Sequence, residues 1–143
     1  MVDDVIVNKV ATIERCLARV REEYGGDERN LRDNLTQQDS IILNLQRACE
    51  ASIDLAMALV KTHRLGPPQE SRHAFDLLQD AGLLDRALTA RMARMVGFRN
   101  VAVHDYQRLN LDIVKAIIVE RLDDFARLRV SRWNWLGGRA ERR

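Results

Sequence analysis

An all-α fold, an up-and-down bundle of about five helices, is what the sequence predicts, and three observations carry it. Only 7 Gly and 2 Pro punctuate 143 residues, whereas a sheet of short strands needs a turn signal about every ten residues. Apolar residues step by three and four in almost every window, the period of a helix that buries one face. A composition 46% hydrophobic and 31% charged suits one packed core, and the length is near the commonest for a single domain. No stretch approaches the roughly 20 apolar residues of a membrane span, and Met1-Val2-Asp3-Asp4 is acidic where a secretory leader would be basic. The expectation is a soluble, cytoplasmic protein with no membrane partner.

The first apolar stripe, Val2, Ile6, Val10, Ile13, Leu17 and Val20, predicts a helix from about residue 2 to Tyr24, and Gly25-Gly26-Asp27 ends it. The ten polar and charged residues that follow read as a connecting loop. Thr36, ahead of Gln37, Gln38 and Asp39, offers a cap for the run Ile41, Ile42, Leu45, Ala48, Cys49, Ser52, Leu55, Ala56, Leu59 and Val60. That stripe is wide enough to make this the central helix, packed on more than one neighbour. Gly66-Pro67-Pro68 stops it, because proline has no amide hydrogen and disfavours helix in the residue before it. Glu70 and Ser71 open a shorter helix with Ala74, Phe75, Leu77 and Leu78, which Gly82 closes.

A fourth pattern starts at about Asp85, with Leu88, Met92, Met95 and Val96 as core, and continues towards Tyr106. Gly97 inside it weakens the helix and permits the close approach of another, in this chain or across a dimer. Asn110 caps a fifth, with Leu111, Val114, Ile117, Ile118, Leu122, Phe125 and Leu128 facing inward. Beyond Leu128 the apolar period decays, which sets a helical domain at residues 1–129 and a basic Trp/Arg tail at 130–143.

The formal net charge of +2 is unevenly spread: six arginines against Glu141 make residues 127–143 +5, so the rest of the chain is weakly acidic. Interleaved Trp133, Trp135 and arginines suit stacking on bases and pairing with phosphates of single-stranded RNA; folding back on the bundle is the other reading. Cys16 and Cys49 lie in apolar helical patterns without CxxC spacing, and read as small buried hydrophobes rather than disulfide or zinc ligands. His63 and His73, with no Cys or carboxylate at ligand spacing, read as solvated loop residues, and Asp123-Asp124 as the outer face of the last helix. No metal site, no cofactor and no Gly-rich phosphate loop is expected.

One segment departs from the pattern. Arg99-Asn100-Val101-Ala102-Val103-His104-Asp105-Tyr106 places an Arg, an Asn, a His, an Asp and a Tyr within eight residues of an otherwise apolar helix. On a continuous helix Asn100 and His104 share a face, where the amide can hold the imidazole in one orientation. Arg99 and His104, five apart, diverge by roughly 140° around the axis and about 7.5 Å along it. Two arrangements bring them together: the helix ends before His104 and the chain bends, or Arg and His of one copy meet those of a second across a twofold axis, in a composite cleft. A structural polar network without catalysis is the remaining reading.

The segment resembles the signature of the HEPN superfamily, an Arg followed a few residues later by a His, in the form with Tyr two residues after the His: here R-NVAV-H-D-Y, with Asn100 directly after the Arg. Gln46-Arg47-Ala48-Cys49-Glu50 in the central helix and the Gly66-Pro67-Pro68 break extend the resemblance to the HepT-type toxins over about residues 1 to 129. It implies a HEPN-like homodimer and a metal-independent endoribonuclease, the toxin of a type VII-like toxin–antitoxin pair. In such proteins the RNA 2′-hydroxyl attacks the adjacent phosphate, leaving a cyclic phosphate and a 5′-hydroxyl. His104 would serve as general acid or base. Arg99 would present its planar fork of donors to the non-bridging oxygens. Asn100 would orient the imidazole or the phosphate, and Asp105 would support His104 or face water.

The resemblance also implies a protein partner, a minimal nucleotidyltransferase antitoxin that adenylylates Tyr106. Phosphate-bearing bulk there would fill the cleft and repel an RNA backbone. Without the resemblance, Tyr106 reads as a packed tyrosine whose hydroxyl finds a partner. The alternative function is a non-catalytic subunit that scaffolds the nucleotidyltransferase. The acidic body favours that alternative, and the Arg99–His104 pair favours the nuclease.

Overall fold

Ile6, Val10, Ile13, Leu17 and Val20 lie buried along one side of α1 (Asp4–Tyr24), as their three-and-four spacing requires. The computed structural model describes residues 4–133, with side chains to residue 128, and no strand occurs among them. After α1 come α2 (Glu28–Arg32), α3 (Leu35–Thr62), α4 (Ser71–Asp80) and α5 (Arg86–His104). A 3₁₀ turn at Tyr106–Arg108 leads to α6 (Leu111–Ala116), which runs through a π turn at Ile117–Arg121 into α7 (Leu122–Trp133). None of these helices is long and apolar enough to cross a membrane.

The helix α3 is central, as its wide apolar stripe predicts, and packs on α1, α4, α5 and α7. It runs antiparallel to α1: Gln37 Nε2 donates to the Glu23 carbonyl at 3.1 Å, and Lys9 pairs with Asp54 at 3.0 Å at the opposite end. Cys16, Cys49, Met92 and Met95 are core residues, as expected. Burial pushes the Cys49 thiol up to about 12.

Several local expectations are overturned. The polar stretch after Tyr24 contains α2, whose Asp27 cap accepts from the Arg29 amide at 2.9 Å and whose Leu31 is buried. One turn is too short to show periodicity, and a single apolar residue supplies its inward face. The cap of α3 is Asn34, accepting from the Gln37 amide at 2.9 Å, rather than Thr36. Asp124 is 3% exposed and pairs with Arg91 at 3.4 Å, so it is not on the outer face. Asp124 stands seven residues after the buried Ile117, close to two helical turns, which keeps it near the inward side.

His63 does stand in the turn after α3, as its cap, though half-buried rather than solvated, whereas His73 lies half-buried in α4, where its Nδ1 accepts from the Gln69 amide. Among the described residues no cluster of His, Cys, Asp or Glu is placed to hold a metal. A Cβ on Gly97 would stand 3.1 Å from Arg72 Nη2, so the close approach this glycine permits is a side chain from α4. Residues 134–143, most of the Trp/Arg tail, lie outside the described residues.

Candidate active site

The helix that carries the candidate residues is anchored at its start by Asp85, whose side chain accepts from the Leu88 amide at 2.7 Å. Leu88, Met92, Met95, Val96, Phe98 and Ala102 point into the core, which sets the roll of α5 and therefore where its polar end points. The helix continues through His104, and the Asp105 amide donates to the Val101 carbonyl at 2.8 Å to close its last turn. The chain therefore does not bend before His104, and the first of the two arrangements expected from the sequence is excluded. Alanine and valines give no reason to break at 101–103, and the Val101 carbonyl is satisfied by this cap.

Asn100 and His104 share a face, but no hydrogen bond joins them in the single chain. His104 is exposed. Arg99 is half-buried; its Nε is shielded from solvent and has no acceptor, and no carboxylate among the described residues pairs with it. With Glu50, Ile53, Asp54, Met57 and Ser71 it lines a cavity of about 480 Å³. Arg99 and Glu50 act on the Cys49 thiol in opposite directions, the guanidinium lowering its pKa and the carboxylate adding to the rise that burial causes. Asp105 is exposed and pairs with Arg108 at 3.4 Å, so its carboxylate is turned to solvent and that partner.

Tyr106 opens the 3₁₀ turn, and its hydroxyl donates to the Asp39 carboxylate on α3. Burial first, and then this bond and the negative charge of Asp39, push the phenol up to about 12. The residue is nevertheless 40% exposed, so the ring is not sealed in the core. In the sequence Asp39 is only one of the polar residues that follow a helix cap, and Glu50 only the last residue of a central-helix stretch. Nothing local marks either of them, because they meet the α5 end only through the packing of α3.

Between Arg99 and His104, Val101 and Val103 are 39% and 43% exposed, two apolar side chains on opposite sides of the polar end of α5. Beside it, Met95, Phe98, Val101, Leu109, Ile113 and Ile117 line a groove of about 590 Å³ between α5 and α6. One chain thus displays a guanidinium without an ion-pair partner, an exposed imidazole on another face of the same helix, and a tethered phenol.

Comparison with known proteins adds the family. A family model described as Ribonuclease HepT-like matches residues 13–130. The mRNA nuclease HepT of Shewanella oneidensis is 49% identical over 123 residues, covering 86% of this chain and 92% of that protein. Among solved structures, a tri-AMPylated HEPN toxin of Shewanella oneidensis in complex with MNT antitoxin superposes with a TM-score of 0.86 at 46% identity, covering 91% of this chain and 97% of the other. A toxin–antitoxin complex with AMP-PNP superposes with the same TM-score and identity over 90% and 97%. With the family model spanning most of the chain and the bundle superposing on solved HEPN toxins, the chain belongs to the HepT-like ribonucleases.

Proposed function

We propose that this ribonuclease is the RNA-cleaving toxin of a toxin–antitoxin pair, with Arg99 and His104 acting on one phosphodiester and Tyr106 as the residue through which it is silenced. The observation that carries this reading is Arg99. A guanidinium whose buried Nε has no acceptor, and which forms no ion pair among the described residues, has donors to spare for an anion. A phosphodiester fits that place, and the name of the Shewanella relative, an mRNA nuclease, supports RNA as its source.

In the reaction the 2′-oxygen bonds to the adjacent phosphorus, the bond from phosphorus to O5′ breaks, and a cyclic phosphate and a 5′-hydroxyl result. One proton leaves the 2′-hydroxyl and one reaches O5′, and His104 serves one of these transfers. Arg99 takes the charge that builds on the non-bridging oxygens. Because α5 carries both residues on one unbroken helix, Arg99 of one copy and His104 of another share each phosphate in a homodimer. Val103, exposed next to His104, is then covered by the second copy, and Asn100 orients the imidazole or the phosphate.

For silencing, the Tyr106 oxygen attacks the α-phosphorus of a nucleoside triphosphate held by a separate nucleotidyltransferase. The new O–P bond forms, pyrophosphate leaves, and the phenol proton passes to the Asp39 carboxylate that already holds it. The tri-AMPylated state of the Shewanella toxin beside its MNT antitoxin supports this step.

Expression of the chain alone should stop growth. Arg99→Ala and His104→Ala should each lower RNA cleavage by about 10²–10⁴-fold while circular dichroism and melting temperature hold. Full toxicity from a folded His104→Ala protein would return the chain to a non-catalytic scaffold. Peptide mass analysis of protein made with its transferase should find adenylyl mass on Tyr106.

A further inference from the structure

Beside Tyr106, on the outer side of the α1–α3 pair, runs a groove of about 680 Å³ whose lining includes Arg15 and Arg19 of α1 and Asp39, Leu43 and Arg47 of α3. Asp39 is also the residue that holds the Tyr106 hydroxyl, so the groove begins where the phenol oxygen is tethered. Asp39, Leu43 and Arg47 stand four residues apart and share one face, a row about 12 Å long. The antiparallel register of the two helices sets Arg19 towards the Leu43 level and Arg15 towards the Arg47 level. Positive charge therefore accumulates with distance from Tyr106.

These arginines are little used by the fold. Arg15 and Arg47 are exposed and enter no ion pair among the described residues. Both guanidiniums act on the Cys16 thiol, each lowering a pKa that burial raises, so they converge on one spot from two helices. Arg19 is held by Glu22 at 2.8 Å and Glu23 at 3.2 Å, in surface pairs that water and salt weaken. Leu43 is an exposed large apolar residue in the middle of the row. A charged row with an apolar step suits a ligand that alternates anionic links with flat apolar bodies, which is the chemistry of a nucleotide chain.

We infer that this groove receives the chain of adenylyl units built on Tyr106, with Arg19, Arg15 and Arg47 taking successive phosphodiesters and Leu43 lying against a base. The inference rests on the proposed modification of Tyr106 and adds where its product lies. Each further unit forms when a hydroxyl of the preceding ribose bonds to the α-phosphorus of a new nucleoside triphosphate, pyrophosphate leaves, and the hydroxyl proton passes to solvent. Every unit brings one more anion, and the row supplies cations in the same order. The chain would thus be laid along the α1–α3 surface and shielded there, which keeps the toxin silent after the transferase departs.

The test uses the full chain produced with its nucleotidyltransferase, as the parent and as Arg15→Gln/Arg47→Gln, and reads two quantities: the number of units on the Tyr106 peptide by mass, and the rate at which a phosphodiesterase strips them from the purified toxin. The parent should carry several units and lose them slowly. The double variant should carry fewer, or lose them at least ten-fold faster. Equal counts and equal stripping rates overturn the inference. A ten-fold loss of RNA cleavage by the unmodified double variant, with counts and stripping as in the parent, overturns it by assigning the groove to substrate RNA. A variant with no first unit overturns it by assigning the arginines to docking of the transferase. A parent with no unit on Tyr106 defeats the modification reading itself, a result visible in the parent arm alone.

Discussion

The Tyr106 phenol gives the clearest pH signature. Its pKa stands at about 12, raised by burial and by Asp39, against about 10 in an unfolded chain. Between those values the folded state keeps a proton that the unfolded state has lost. Stability therefore falls as pH rises from 10 towards 12, and the contribution is fully present below 10. In a Tyr24→Phe background, ultraviolet titration should place the phenol near its raised value. Asp39→Asn should move the midpoint down, though not fully to 10, because burial remains; an unmoved midpoint would mean that Asp39 does not hold the phenol. Cys49 offers a second check: its thiol, pushed up to about 12 and sealed in the core, should be alkylated only as fast as the protein unfolds. The residues from Arg99 to Tyr106 were legible because they are neighbours in the chain. Asp39 was not, since it lies 67 positions from Tyr106 and the contact exists only once α3 packs against the end of α5.

At the scale of helices, α3 ends in strain. Arg64 adopts φ 55°, the left-handed position where a helix usually carries glycine, while the Leu65 amide closes the motif on the Val60 carbonyl at 3.0 Å. Arg64→Gly removes the Cβ clash and should raise stability by about 0.5–1 kcal/mol, a rise of roughly 2 °C or more in melting temperature. Asn34→Ala, which removes the cap at the other end, should cost about 1 kcal/mol. Thermal melts of the two variants should shift in opposite directions. The long helices were legible because each has enough turns for a stripe to repeat. A single turn such as α2, or one added residue such as the π turn, changes no visible pattern and is decided by what it packs against. The salt bridges from Arg32 to Asp112 and from Lys115 to Glu28 join α2 to α6 from opposite ends of the sequence.

For the whole molecule the decisive question is how many chains make one site. With α5 unbroken through His104, a shared cleft predicts an unusual recovery. Arg99→Ala and His104→Ala proteins, each inactive, should regain roughly a quarter of parental RNA cleavage when refolded together, because half of the randomly paired dimers hold one intact site of two. No recovery from a mixture shown to form mixed dimers would place each site within one chain. Sedimentation should give the mass of two chains, and Val103→Asp should shift it towards one and lower cleavage with it.

The all-α class, the five main helices and their inward faces were determined by the sequence alone, because helical periodicity is a local property that repeats within a few turns. The cluster of reactive side chains at the end of α5 was equally plain in the one-dimensional order. Tertiary structure decided what those side chains meet: Arg99 without an ion-pair partner in a cavity it shares with Glu50 and Asp54, Tyr106 tethered to Asp39, and Asp124 buried against Arg91. Such pairings depend on how rigid helices roll and register against one another, and that is settled by the shape of the whole core.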